Sequence, residues 1–235
     1  MKQLLTITCL LILFATKAQY FIPPMDNGEI GMAKAAYVIT NEGDSLNGSV
    51  GMAMMTNGQL RSFTFKLDGG GKEKFKAADV KVLGVKPNKL SNISSALSVP
   101  NLEQLLEQNF DEIVNREWVY FEQALLPKKK DKYALMQLLN PGYDSKIKIY
   151  QDPMANETMG VGVAGVQLTG GIAKSYLVVF DGGKSEVYKK SRYKKDALGK
   201  LYKDCQIFKD NYAGEKFQWN DFAEHVLVYD QLCTE

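Results

Sequence analysis

The spacing of apolar residues shifts for good at Lys189. Before it, they recur at every second position in short runs punctuated by Gly, Asn and Asp; after it, they recur at intervals of three and four. A strand turns successive side chains to opposite faces, whereas a helix brings every third and fourth residue to one side. The two parts therefore cannot be built from one kind of element. The pattern predicts an α+β protein, with an antiparallel β-rich body followed by a C-terminal pair of amphipathic helices over 190–235.

Within the body, KAAYVIT (34–40) reads as a strand, and Val50 to Met55 and Leu60 to Leu67 flank Asn57-Gly58, the dipeptide that most readily adopts the two positive φ angles of a tight hairpin. Phe63, Phe65 and Leu67 alternate with Thr64 and Lys66, so one face is apolar and the other wet. Gly69-Gly70-Gly71 ends that strand, and FKAADVKVLGVKP supplies a further β pair that stops at Pro87. These features define an N-terminal antiparallel β unit over 19–99 and leave a second β-rich unit over 100–189. In the second unit, Leu102, Leu105, Leu106 and Ile113 fit either an acidic amphipathic helix or a loop leading into the next strand. Asn140-Pro141-Gly142 marks a turn, Ile147 and Ile149 oppose Lys148 and Tyr150, and SYLVVFDGGKSEVYK reads as a hairpin about Asp181-Gly182-Gly183.

Beyond Lys189, Ala197, Leu201, Cys205 and Phe208 share one helical face, as do Phe222, Val226, Tyr229 and Cys233; Asp221 with Glu224 has capping-box spacing. If the two helices form a simple hairpin turning near residue 215, Cys233 aligns with Ala197 and Cys205 with His225. Eight residues of helix, roughly 12 Å, then separate the cysteines, whereas bridged Cα atoms lie within about 7 Å. That geometry weakens a Cys205–Cys233 disulfide, while an even cysteine count in an exported chain favours one. Both a bridge and a pair of inert buried thiols stay open. A reactive Cys205/His225 dyad would need an orienting third group and an oxyanion site, and a thiolate needs exposure and positive surroundings that an apolar helix face lacks. His225 is the single histidine, and Asp221, Glu224 and Asp230 beside it read as the solvated side of a helix rather than a metal cluster. No catalytic, cofactor-binding or metal-binding residue is assigned.

Compartment follows from the first residues. Lys2 precedes an apolar run from Leu4 to Ala15, and Thr16-Lys17-Ala18 closes it, the pattern of a signal peptide over 1–18 with cleavage between Ala18 and Gln19. The run is too short to span a bilayer, which takes roughly 20 apolar residues. Cys9 lies inside it rather than at its end, so free export is expected over lipid anchoring. Removing Lys2 and Lys17 lowers the 29 basic residues to 27, equal to the 27 acidic ones, and leaves Cys205 and Cys233 as the mature cysteines. A formally neutral chain carries no basic field for nucleic acid, and the lysines of PKKKDK read as a surface turn. No integral membrane insertion of the mature chain is expected.

One cofactor motif is present in letters alone. GVGVAG (160–165) matches G-x-G-x-x-G and Asp181 follows at dinucleotide-fold spacing, but the motif works only between a strand and a helix whose terminus receives the pyrophosphate. QDPMANETM before it is a polar turn region, and VQLTGGIAKSYLVVF after it is no helix. Gly160 and Gly162 are expected to serve strand packing, with no cofactor.

The leader ending in KAQ, GDSLNGSV, FKAADVKVLGV, KYALMQLLNPG with KIKIYQDP, and the terminal KDCQIFKD with VLVYDQLC together resemble a loosely defined group of exported proteins of unassigned function from Bacteroidetes-type bacteria. The resemblance implies a periplasmic or secreted location, a β-rich body and a helical tail, and carries over no site residue. The expected function is a noncatalytic envelope or secreted module that binds a glycan, a peptide or an envelope protein, with Trp118, Tyr120, Phe121, Tyr143 and Tyr150 as the aromatic supply for a carbohydrate platform and most of them core. The alternatives are a hydrolase-like envelope enzyme and a purely structural or stress-related role. A flat aromatic strip would favour the glycan module.

Overall fold

The computed structural model of this chain describes residues 21–22, 24–25, 27–56, 59–88, 117–126, 133–152, 155, 161–163, 166–169, 175–180, 183 and 185–233. The leader with Ala18 and Gln19, the Asn57-Gly58 turn, the segment around Leu102 to Ile113 and the PKKKDK turn lie outside the described residues. The fold is α+β.

Strands β1 (Ala35–Thr40), β2 (Ser45–Thr56), β3 (Gln59–Leu67), β5 (Val80–Lys86), β6 (Val119–Leu125) and β7 (Tyr133–Gln137) pair in the order β2-β1-β5-β6-β7-β3, and β3 pairs back onto β2. Six antiparallel strands thus close a barrel. The short β4 (Lys72–Lys76) adds to the other edge of β3, next to where β7 docks on Gln59 and Leu60. Closure needs curvature, and the register slips that mark bulges fall between Ile39 and Thr40, between Val50 and Ala53 and between Met54 and Met55. At Gly48 a Cβ would sit 2.0 Å from the Lys66 carbonyl oxygen, so only glycine lets β2 cross β3 this closely. The alternation in the sequence now has its meaning: Phe63 and Phe65 are buried with Val38, Leu83, Phe121 and Leu135 inside the barrel. A barrel this narrow is filled by its own side chains. The free edge of β4 carries Lys72, Glu73, Lys74 and Lys76, charges that discourage strand addition. The short helix α1 (Asn27–Gly31) sends Ile30 into the barrel core, and the Met25 amide donates to Gln137 Oε1 at 2.7 Å.

The sheet boundary differs from the expected division at residue 99. Strands β6 and β7 complete a barrel begun by the first unit, so the hydrogen-bonded boundary falls after Gln137. The next sheet, β12 (Glu186–Lys189), β11 (Ser175–Phe180) and β8 (Ile147–Gln151) in that order, is apolar on both faces. Tyr150, Leu177, Val179 and Val187 meet Ala124, Ala134, Met136 and Leu138 on the outside of β6 and β7. Ile147, Ile149, Val178 and Tyr188 face the helices. The chain passes from barrel to sheet through the Leu138–Tyr150 bridge and the Leu139 amide, which donates to the Ile149 carbonyl at 2.8 Å. Asn140 fastens the intervening turn, its Nδ2 donating to Tyr143 and Ile147 carbonyls and its Oδ1 accepting from the Ile149 amide.

The first of the two expected tail helices is broken. Helix α2 (Lys190–Asp196) runs into one π turn (Ala197–Leu201), and a new helix, α3 (Gln206–Asn211), begins only after Cys205, which is extended at φ −124° and ψ 106°. On one continuous helix Tyr193 and Tyr202, nine residues apart, would point about 180° away from each other. The break turns both inward, both fully buried, with their hydroxyls 3.1 Å apart. Helix α4 (Phe222–Cys233) then lies across them. The same break corrects the hairpin geometry for the cysteines: Cys205 and Cys233 are disulfide-bonded with Cα atoms 5.9 Å apart.

Candidate functional site

The outer wall of the barrel carries a row of residues that the antiparallel register lines up: Tyr37 on β1 opposite Gly84 on β5, and Gly84 opposite Tyr120 on β6. These positions alternate with the buried Val38, Leu83, Val85 and Phe121, so they face away from the core. A Cβ on Gly84 would fall 2.3 Å from Tyr37 Cε1 and 2.5 Å from its Cζ. The Tyr37 ring therefore lies against the wall in the space a side chain at Gly84 would fill. Trp118, just before β6, meets Tyr37 edge-on at 5.3 Å between centroids and 63° between planes. Lys86 Nζ stands 5.8 Å from the Trp118 ring centroid and 3.0 Å from Glu117 Oε1. Tyr37, Trp118 and Tyr120 are all half-buried.

The next outward position of β6 is Glu122, at the seam where the three-stranded sheet meets the barrel. Its Oε2 accepts from Lys148 Nζ at 2.7 Å and from the Tyr150 hydroxyl at 2.8 Å. Lys148 also lies 3.7 Å from Asp144 Oδ2. Burial, reinforced by Tyr120 and Glu122, raises the Tyr37 pKa, and burial with the Glu122 carboxylate raises that of Tyr150. Both phenols stay protonated and can donate. The site is a patch of aromatic rings on a rigid wall, edged by two carboxylates and two ammonium groups. Such a surface stacks on an apolar face of a ligand and hydrogen-bonds its polar rim.

The expected aromatics divide accordingly. Phe121, Tyr143 and Tyr150 are core, whereas Trp118 and Tyr120 are on the wall. Tyr37 and Glu122 join the site without having been singled out in the sequence. The available signals were the outward aromatic in AAYVIT and the lone glycine inside VKVLGVK, a mark of close approach in a strand.

The tail holds a different cluster. His225 is buried among Phe217 and Tyr212, with ring centroids at 4.8 and 4.9 Å, and its Nδ1 lies 2.6 Å from the Tyr193 hydroxyl. Burial lowers the His225 pKa, partly opposed by Asp221, and raises those of Tyr193 and Tyr202. The neutral imidazole, Tyr193 and Tyr202 thus form a buried hydrogen-bonded chain. With both sulfurs in the bridge, Cys205 has no thiol to offer His225. Asp230 Oδ1 accepts from the Ser145 amide at 3.0 Å and hydroxyl at 2.6 Å, tying α4 to the turn before β8. Among the described residues no three His, Cys, Asp or Glu side chains are grouped as metal ligands, and no helix is long and apolar enough to cross a membrane.

Of the GVGVAG letters, Val161–Val163 form β9, which pairs antiparallel with β10 (Val166–Thr169) through Val163 and Val166. A strand, and not a helix, comes next along the chain at Val166–Thr169; Gly160, Ala164 and Gly165 lie outside the described residues. Comparison with protein-family models, with curated proteins and with solved structures finds no match for this chain.

Proposed function

We propose that this protein is an exported, noncatalytic module that binds a glycan on the outer wall of its barrel. The observation that carries the reading is the Tyr37 ring laid across Gly84 beside Trp118. A pyranose ring has one face of C–H groups and a rim of hydroxyls. A wall-mounted aromatic ring presents an apolar plane to that face without having to be ordered on binding, which keeps the entropic cost of association low. Glu122 and Lys148 at one margin, and Lys86 with Glu117 at the other, supply both an acceptor and a donor for the hydroxyl rim. The leader-like first eighteen residues and the resemblance to exported Bacteroidetes-type proteins support a periplasmic or secreted location.

The test is a titration of the mature chain with soluble envelope and dietary polysaccharide fragments, followed by tryptophan emission. Trp219 is buried in the tail cluster, so a change on binding reports Trp118. Saturable quenching that is lost in Trp118→Ala and Tyr37→Ala supports the reading. Absence of binding across the panel, or binding indifferent to both substitutions, sinks it.

A further inference from the structure

Outside the aromatic patch, three methionines stand exposed where α1 meets β2: Met32 is 52%, Met52 73% and Met54 57% accessible. We infer that Met32, Met52 and Met54 form a thioether site for a soft monovalent cation, Cu(I) in nature and Ag(I) as its redox-inert equivalent. Met52 and Met54 alternate with the half-buried Gly51, Ala53 and Met55, so they leave the same outer face of the strand. Two residues of strand set their Cα atoms about 7 Å apart. Met32 is brought in by a backbone contact. A Cβ at Gly31 would lie 3.1 Å from the Gly51 carbonyl oxygen, and Met32 and Met52 are the next residues on each side of that contact.

Adding one trans Cα–Cα step and one carbonyl-to-Cα distance places the Met32 and Met52 Cα atoms within about 11 Å. A methionine sulfur reaches about 4 Å from its Cα, and two sulfurs on one metal at about 2.3 Å each lie up to roughly 4 Å apart, so a pair can share an ion across about 12 Å. All three long, unbranched side chains have the rotatable bonds to converge. Neutral thioethers select Cu(I) over the oxygen-seeking Ca²⁺ and Mg²⁺. They also carry no proton to lose, so binding should be flat with pH where a histidine or thiol site would weaken in acid.

The probe is Ag(I) in nitrate buffer, added to the full mature chain with its disulfide intact and followed by calorimetry and by methionine methyl resonances. Expected are one Ag(I) per chain, shifts of the methyl signals of Met32, Met52 and Met54, and an affinity equal at pH 5.5 and 7.5. Met52→Leu with Met54→Leu keeps volume and apolarity while removing sulfur, and should weaken binding at least tenfold. Met32→Leu, outside the barrel wall, should weaken it at least threefold and serves as the second variant should the double one fold poorly. No saturable binding, binding undiminished in the leucine variants, or affinity that falls in acid overturns the assignment. Capture of a protein partner equally well by wild type and the double leucine variant, without Ag(I) binding, would mark the patch as an apolar docking surface and also overturns it.

Discussion

Replacing Gly84 by alanine tests the wall at the point where its geometry is tightest. The new methyl carbon would stand 2.3, 2.5 and 2.9 Å from three carbons of the Tyr37 ring, whereas carbon atoms settle at about 3.5–4.0 Å. Either the ring moves out by more than about 1 Å or the strands separate. Tyr37 sits on the surface, so the ring gives way first. Its departure forfeits the edge-on contact with Trp118, about 0.5–1.5 kcal/mol, and the burial of its inner face, about 1 kcal/mol for some 40 Å². Against this, alanine recovers roughly 0.5–1 kcal/mol of the entropy that a strand glycine costs. The net expectation is a loss of about 0.5–2 kcal/mol in urea unfolding at unchanged slope. Glycan affinity should fall at least tenfold. In a Tyr37→Ala background the same Gly84→Ala change meets no ring and should be neutral or mildly stabilising, so the double-mutant cycle gives a coupling of about 1.5–2.5 kcal/mol, the sum of the ring contact and its burial. A Gly84→Ala protein as stable as wild type, with no coupling to Tyr37, would refute the placement of the ring and the platform argued from it.

Closing a 28-residue separation by the Cys205–Cys233 bridge should stabilise the protein by about 3.6 kcal/mol on the chain-entropy estimate, read as the difference in urea unfolding between wild type and Cys205→Ala/Cys233→Ala; oxidised protein should show no free thiol to Ellman's reagent even when unfolded. His225 has a folded-state pKa below its ordinary 6.5 because burial disfavours the imidazolium. Its neutral form thus favours folding fully above that value, and the contribution is lost as pH falls through 6.5 toward the folded pKa, by at most about 1.4 kcal/mol per pH unit. His225→Gln should flatten that part of the stability profile, and an unchanged slope would show that other groups set it. Intact mass of protein recovered from the periplasm or medium should correspond to a chain starting at Gln19; retention of Met1 or lipid on Cys9 would refute the export reading.

What the sequence reveals is what is decided within a few residues. The alternation about Phe63 and Phe65, the hairpin of SYLVVF with EVYK, and the opposition of Ile147 and Ile149 to Tyr150 all follow from local period, and the structure keeps each. The closed barrel was not legible, because its closing pairs join Leu60 to Leu135 and Val85 to Val119, registers that no local signal encodes. For the same reason the place of Gly84 as the floor under Tyr37 was not legible. The tail illustrates a competition: three-and-four spacing favoured one helix through Cys205, but burying Tyr193 and Tyr202 on the same side outweighed the hydrogen bonds of a continuous turn. That exchange also decided the disulfide, since extended backbone at Cys205 brings its sulfur to α4.

The two-sided apolar character of β6 and β7 bears on the order in which the chain can fold. Phe121 and Leu135 belong to the barrel interior, while Ala124, Ala134 and Met136 on the same strands belong to the next layer. A nascent chain that has emerged only as far as β5 holds most of the barrel's phenylalanines but presents them on an open sheet, with Gln59 and Leu60 of β3 lacking β7 as their partner. Adding β7 closes the ring yet leaves its outer apolar wall bare until β8, β11 and β12 arrive. No intermediate length of chain therefore hides its hydrophobic surface, and the molecule should mature in one late, slow step that depends on being held unfolded until most of it has been delivered.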